Sequence, residues 1–224
     1  MILFDIVTEK DIWKAGTGHT KIVNSIDGCT IGSAMLVSGS RDGTVKVWDP
    51  RATDPVVSFD ASTQGTDCWA VCFGNSLEKD DRVIVAGYDN GDIRLFDLKT
   101  MKVRWETNIQ RGVCHVSFDR KDIPMNKLSV AGLNGGLSMY DMRTYNEQSG
   151  FAGLVTDVSK STLWGCHFLP QDREIMAVTS GSGEVSLFRY SYPFQRTIKG
   201  SDGCQVGVPG TLECIGKSTS LRNN

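Results

Sequence analysis

One motif occurs four times along this chain: a glycine-bearing turn, a short apolar strand and a terminal aromatic residue. The copies are Asp42-Gly43-Thr44-Val45-Lys46-Val47-Trp48-Asp49, Asn90-Gly91-Asp92-Ile93-Arg94-Leu95-Phe96-Asp97, Asn134-Gly135-Gly136-Leu137-Ser138-Met139-Tyr140-Asp141 and Ser182-Gly183-Glu184-Val185-Ser186-Leu187-Phe188-Arg189. Their aromatics fall at 48, 96, 140 and 188, and Leu3-Phe4-Asp5 sits one period before Trp48. A fixed period of this length means one supersecondary unit repeated, and such units bury their faces only by stacking on their neighbours.

Upstream of each motif lies a second apolar pattern: Val23/Ile26, Cys68/Val71/Phe73, Val113/Val116/Phe118 and Leu163/Cys166/Phe168. Between the two come β-rich runs at Met35 to Ser38, Val83 to Ala86, Leu128 to Ala131 and Ile175 to Val178. A more polar outer strand follows each aromatic, at Pro55 to Phe59, Lys102 to Thr107, weakly near Phe151, and at Phe194 to Ile198. Each unit thus has four strands, and an inner three that are apolar on both sides are expected when each small sheet is covered by the next; radial stacking covers them most simply. The expected fold is all-β: a β-propeller built as an incomplete ring of about four and a half four-stranded blades. Residues 1–15 form a half blade, 16–60, 61–108, 109–153 and 154–198 are full blades, and 199–224 is an irregular tail rich in Gly and Ser. The end blades are expected to expose apolar faces of roughly 300–600 Å² and to make the chain self-associate.

Composition removes several function classes. The formal net charge is -2, so no basic surplus points to nucleic acid or an anionic membrane. No apolar run exceeds strand length, and the first residues lack the charged flank and apolar core of a secretory signal. Seven cysteines without C-x-x-C spacing, and no Asn-x-Ser/Thr sequon, fit a reducing cytosolic or nuclear compartment.

No catalytic constellation is present: no nucleophile elbow, no glycine loop ending in Lys-Ser/Thr and no metalloprotease helix. Ser180-Gly181-Ser182-Gly183 reads as a hairpin. The run Lys79-Asp80-Asp81-Arg82 reads as a solvated loop. Cys114-His115 and Cys166-His167 offer one ligand each to any shared site, because neighbours on a strand face opposite ways; Cys68 and Cys72 read as small core residues. No metal, cofactor or small-molecule substrate is expected. Binding residues are expected on the rim around the central channel, where the inner strands begin. The candidates there are Asn24, Trp69 and Trp164 on the inner strands, beside Cys114, and Arg41, Asp89 and Leu133 in the turns. Two tryptophans at equivalent positions would make good anchors.

Gly18-His19, Asp42 and Trp48-Asp49 resemble the WD repeat of β-propellers. The resemblance implies a hydrogen-bonded network of His19, Asp42, Trp48 and a strand serine, Ser38 or Ser40. The other units carry Asn90, Asn134 and Ser182 in place of Asp, lack the Gly-His pair and end in Phe96, Tyr140 and Phe188, so packing is expected to replace the network there. Segments such as Ser40 to Arg51, Ala86 to Ile93, Arg104 to Ile109, Phe118 to Ile123, Tyr140 to Thr144 and Tyr192 to Arg196 are similar to the Monad family of WD-repeat factors for axonemal dynein assembly. The likeness covers about residues 18 to 210. It implies a non-catalytic cytoplasmic scaffold working with a co-chaperone complex linked to an AAA+ ATPase on dynein assembly intermediates, a link to apoptosis, and further blades on both sides. A second reading rests on Trp48-Asp49-Pro50-Arg51 and Tyr140-Asp141-Met142-Arg143, which look like the aromatic-Asp-x-Arg box of substrate receptors for cullin-RING ubiquitin ligases. An arginine placed this way can pair with a carboxylate. A rim reading methylated lysine would need several convergent aromatics, and only Trp69 and Trp164 are placed for it.

Overall fold

Turn glycines and strand-end aromatics set the frame. In the computed structural model, which describes residues 1–29, 35–61, 64–75, 81–120, 123–200 and 203–218, nearly every segment between turns is a strand. β1 (Ile2–Asp5) and β2 (Lys10–Lys14) form an antiparallel pair. Four antiparallel sheets of four strands follow. The first holds β3 (Val23–Cys29), β4 (Met35–Ser40), β5 (Val45–Trp48) and β6 (Val57–Phe59), in that order. The second holds β7 (Cys68–Gly74), β8 (Val83–Tyr88), β9 (Asp92–Asp97) and β10 (Lys102–Asn108). The third holds β11 (Val113–Phe118), β12 (Lys127–Gly132), β13 (Gly136–Asn146) and β14 (Gly150–Asp157). β15 (Leu163–Phe168), β16 (Ile175–Ser180) and β17 (Val185–Ser191) begin the fourth. The inner strands β3, β7, β11 and β15 touch in succession, as the blades of a propeller do.

The repeated glycine has a backbone reason. Gly43, Gly91, Gly135 and Gly183 all adopt positive φ, at 80°, 92°, 79° and 77°, a region that Cβ-bearing residues rarely enter. The repeated aromatic has a packing reason. Trp48 meets Trp13 of β2 edge-on at 6.0 Å, Phe96 stacks on Phe59 of β6 at 4.4 Å, and Tyr140 meets Trp105 of β10 edge-on at 5.1 Å. The terminal aromatics of the first three sheets therefore each lock onto a ring from the outermost strand before them.

The two middle sheets are buried on both faces, with β8 and β12 wholly so. In the first and fourth sheets the inner strands keep exposed positions, Val23, Asn24 and Ile26 on β3 and Trp164 and His167 on β15. Ile2, Phe4, Ile12, Val23 and Ile26 are exposed at one end of the array, Val155, Trp164 and Ile215 at the other.

The sequence reading needs correction at the fourth sheet. Its outer strand is β20 (Thr211–Ser218), paired to β17, and not Phe194 to Ile198. Phe194 is fully exposed, and the chain from there forms a small hairpin of β18 (Thr197–Lys199) and β19 (Gln205–Gly207) inserted between the third and fourth strands. Residues 203–218 are thus ordered rather than an irregular tail. β14, weak in sequence near Phe151, is a full eight-residue strand. Of the expected solvated run, Lys79 and Asp80 lie outside the described residues. Asp81 holds Asn75 and Arg104, at 2.6 and 2.8 Å, and Arg82 is buried.

Blades approach most closely where one carries a glycine. A Cβ on Gly87 of β8 would lie 2.2 Å from Val113 Cγ1 of β11, and one on Gly39 would lie 2.5 Å from Cys68 Sγ. Gly87→Ala must push the second and third blades apart, and we expect it to cost about 1–3 kcal/mol in denaturant unfolding. Gly28→Ala, whose Cβ would meet only Leu36 at 3.6 Å, is the control and should change stability by less than about 1 kcal/mol. Equal effects would show that the inter-blade contact is not this tight.

Candidate protein-interaction rim

Each inner strand carries a one-residue irregularity at the same place. In β3 the pairing jumps from Val23/Ser40 to Ser25/Gly39, in β7 from Cys68/Tyr88 to Ala70/Gly87, in β11 from Val113/Gly132 to His115/Ala131, and in β15 from Leu163/Ser180 to Gly165/Thr179. The skipped residues are Asn24, Trp69, Cys114 and Trp164. A bulge of this kind frees a residue from the ladder and re-aims its side chain. The turn residues sit beside them in a second ring. The amides of Arg41, Asp89, Leu133 and Gly181 donate to the carbonyls of Ile22, Asp67, Gly112 and Thr162, each just ahead of an inner strand, at 2.8–3.0 Å. Two equivalent rings thus meet at one end of the blades.

The members differ in what holds them. Asn24 Nδ2 donates to Cys68 O at 3.0 Å, tying the first blade to the second. Arg41 is exposed, 3.8 Å from Asp67, while Asp89 Oδ1 accepts the Asp67 amide at 3.0 Å. Leu133 is half-buried above Gly112. Trp69 is half-buried and lines, with Asn24, Cys114, His115 and His167, a 380 Å³ cavity along the four inner strands. Trp164 is 61% exposed and stands outside that cavity, beside Gly181. The two tryptophans therefore share a register position but not a pocket, and no aromatic cage forms between them.

Below the rim, polar side chains on the inner strands stitch blade to blade. Ser25 Oγ accepts the Val71 amide at 3.2 Å and Asp27 Oδ2 the Phe73 amide at 2.8 Å. His115, one residue past its bulge as Ser25 is past its own, accepts the Cys166 amide on Nδ1 at 3.4 Å. Its ring lies 4.4 Å from that of His167. Burial, with the neighbouring His167 adding to it, lowers the His115 pKa to about 4, so the ring is neutral near pH 7 and Nδ1 can accept. The sequence reading missed Ser25, Asp27 and this use of His115; the signal was a polar residue one or three places past the bulge. Cys68 and Cys166 thiols are pushed up to about 12, and Cys114 to about 11, by burial. None is a thiolate nucleophile near neutral pH. Among the described residues no group of three His, Cys, Asp or Glu side chains is placed to hold a metal.

The structure joins His19, Ser38, Asp42 and Trp48 in one chain. Trp48 Nε1 donates to Ser38 Oγ at 2.7 Å, and Ser38 Oγ lies 2.7 Å from His19 Nε2. His19 Nδ1 faces Asp42 at 3.1 Å. Since the indole N–H already points at Ser38, the hydroxyl proton goes to His19 Nε2, which puts the ring proton on Nδ1 toward Asp42. Ser40 instead receives the Asp42 amide at 3.1 Å. Burial lowers the His19 pKa against the pull of Asp42. Burial raises that of Asp42, but hydrogen bonds from the Thr44 hydroxyl and amide and the Thr20 amide, with His19 beside it, outweigh it and hold the group far below the usual range.

The two aromatic-Asp-x-Arg boxes part company. Arg51 folds back on Asp49, with Nη2 to Oδ2 at 2.5 Å, and is itself largely exposed. Tyr140 and Asp141 are buried, and Asp141 takes Arg196 in two bonds of 2.6 and 2.7 Å. Arg143 bonds Asp141 only through its own amide, at 3.0 Å, and its side chain is exposed.

Two measurements check this geometry. Ser38→Ala strands the buried Trp48 N–H and should cost about 1–3 kcal/mol in urea unfolding, most of it lost when Trp48→Phe is already present; full additivity would mean the chain of bonds is not formed. For pH, the folded-state pKa values of His115 and His19 lie below the ordinary 6.5. The folded state then binds fewer protons than the unfolded one. Stability is full above about pH 6.5 and falls as pH drops toward 4, by an order of 1–3 kcal/mol. His115→Asn should flatten that slope, and an unchanged slope would contradict it.

Comparison with known proteins agrees with this architecture. Residues 13–49 match the family model described as WD domain, G-beta repeat. The chain is 48% identical over 206 residues to dynein axonemal assembly factor 10 of Bos taurus, covering 88% of this chain and 58% of that protein. It is 45% identical over 206 residues to the Chlamydomonas reinhardtii protein of the same name, with the same coverage. The Dictyostelium discoideum protein of that name is 26% identical over 205 residues, covering 80% of this chain and 52% of that protein. The chain thus spans about three-fifths of the length of the curated relatives it matches most fully. The fold is that of a WD-repeat propeller, and over most of its length the chain is similar to proteins named dynein axonemal assembly factor 10.

Proposed function

We propose that the chain is a non-catalytic interaction scaffold, an adaptor in the cytoplasmic preassembly of axonemal dynein, working with a co-chaperone complex linked to an AAA+ ATPase. The observation that carries this reading is the ring of bulged residues. A fold that repeats one irregularity in all four inner strands, and fills two of the four positions with tryptophan, presents large aromatics at one end of the blades. The names of the relatives supply the process. The partner surface in this reading comprises Asn24, Arg41, Trp69, Asp89, Leu133 and Trp164. Burial pushes the thiol of Cys114, the cysteine of this ring, up to about 11, which suits a binding surface better than a nucleophilic one. No helix among the described residues is long and apolar enough to cross a membrane.

The ligase-receptor reading draws less from the structure. Its second box has its carboxylate already occupied by Arg196, leaving the arrangement at Arg51 without a counterpart.

Trp69→Ala with Trp164→Ala, in the chain expressed in a ciliated cell, should abolish co-purification of co-chaperone subunits and dynein heavy-chain intermediates while the unfolding midpoint stays near that of the parent. Undiminished recovery with normal folding would remove the rim from the mechanism. Recovery of a cullin adaptor that depends on Arg51 and Arg143 would favour the ligase reading instead.

A further inference from the structure

The third blade differs from the others in its outer hairpin. β13 has eleven residues and β14 eight, so the hairpin continues past Asp141, at the end of the blade away from the rim. Its tip is rigidly held. Asn146 Oδ1 accepts the amides of Gln148 and Ser149 at 2.8 and 3.0 Å, and Asn146 Nδ2 donates to Gln205 O of β19 at 2.7 Å. Thr144 Oγ1 accepts the Ala152 amide at 2.9 Å, and β19 packs so close that a Cβ on Gly207 would lie 2.8 Å from Thr144 Cβ. The inserted β18–β19 hairpin thus braces the tip from one side. On the other side the tip arches over the second blade, where a Cβ on Gly150 would lie 2.5 Å from Trp105 Nε1.

This arch encloses a 330 Å³ pocket on the outer circumference, at the seam between the second and third blades. Its walls are aromatic: Trp105 meets Tyr140 and Phe151 edge-on, each at 5.1 Å, and Tyr145 lies 5.2 Å from Phe151. Its charged lining is wholly acidic, Glu106 and Glu147, with no lysine or arginine. Glu106 is shared with Arg94 at 2.9 Å, while Glu147 is exposed at the hairpin tip. Aromatic faces beside a carboxylate attract a cation, and a guanidinium answers both features with one flat group that stacks on rings and pairs with a carboxylate in two bonds.

We infer that this pocket is a second protein-binding site, one that seats an arginine side chain of a partner's extended segment, with Glu147 pairing the guanidinium and Trp105 and Tyr145 flanking it. It does not depend on the rim: the rim lies at the inner edge of the blades and this pocket at the outer edge of the second and third, and the two share no residue. The bracing of the hairpin means that little ordering is needed when the arginine enters, which favours binding by a short segment.

The test uses the whole chain and a fluorescein-labelled seven-residue peptide of glycine and serine with one central arginine, against its counterpart carrying uncharged citrulline. The arginine peptide should give saturable polarisation and shift the Trp105 indole N–H resonance. Citrulline, Glu147→Gln and Tyr145→Ala should each weaken binding by roughly fivefold or more, while Trp69→Ala leaves it unchanged. Glu147→Gln alters an exposed side chain, and an unchanged unfolding midpoint would show that its effect is local. Equal binding of the citrulline peptide, insensitivity to Glu147→Gln, or no saturable binding of either peptide would overturn the assignment.

Discussion

An inner strand in this fold has a ladder partner along one edge only. β3, β7, β11 and β15 each pair within their own sheet on one side, and the free edges of β7 and β15 turn buried amides toward the inner strand of the preceding blade. Amides left there without partners would each cost on the order of 1–3 kcal/mol. The chain meets this requirement with side chains rather than with a continuous ladder. Ser25 and Asp27 reach to the Val71 and Phe73 amides, and His115 to that of Cys166. Blade succession is therefore a hydrogen-bonding arrangement as much as an apolar one.

Between the second and third blades the same junction is made by packing. Ala70 stands where the first blade has Ser25 and the third His115, and Val113 settles over Gly87 with no room for a Cβ. The choice has a consequence for the histidine. An acceptor nitrogen in a buried junction must stay unprotonated, which is why burial and His167 depress His115 rather than leaving it poised near neutrality. Away from the channel the blades are joined a second time, by the ring pairs Trp13–Trp48, Phe59–Phe96 and Trp105–Tyr140. The second and third blades are thus fixed to the blade before them at the inner edge by polar stitching or a glycine contact and farther out by an aromatic pair, and the fourth is joined at its inner edge through His115. The fully bonded Trp48–Ser38–His19–Asp42 chain occurs in the blade whose aromatic carries an N–H that needs a partner; Phe96 and Phe188 carry none.

Much of this was legible in the residues because local geometry dictates it. A positive φ calls for Gly43, Gly91, Gly135 and Gly183, and a strand end at an inter-blade seam calls for a large ring, so period and blade count could be counted off. The rim positions were legible for the same reason, as offsets from an apolar pattern. The bulges that define them were not, since an extra residue in a strand leaves no mark in composition. Trp69 and Trp164 looked like a pair because register was visible and surroundings were not. The outer strand of the fourth sheet was misplaced through a conflict of signals. The segment from Phe194 to Ile198 has the β-rich look of a strand, but only its end enters one, β18 (Thr197–Lys199), which pairs with β19 in the insertion. Thr211–Ser218 has the weaker pattern and wins its place because β17 offers it an edge.

That insertion links the fold to what the chain can bind. Arg196, at its base, pairs with buried Asp141 and stacks over Tyr192, its Cζ 4.1 Å from the ring centroid, while Lys127 lies fully buried among the rings of Phe168, Tyr190 and Tyr192. These cations sit at the junction of the third and fourth blades, where a detour in the chain would otherwise separate them. By occupying Asp141 the insertion removes one carboxylate from external use, and by holding Asn146 it stiffens a hairpin that reaches the second blade. One detour between two strands thus closes a surface on one side of the third blade and builds another on its opposite side. A regular four-stranded repeat could do neither, so this one departure adds to the repeated rim a surface that the repeat alone would not build.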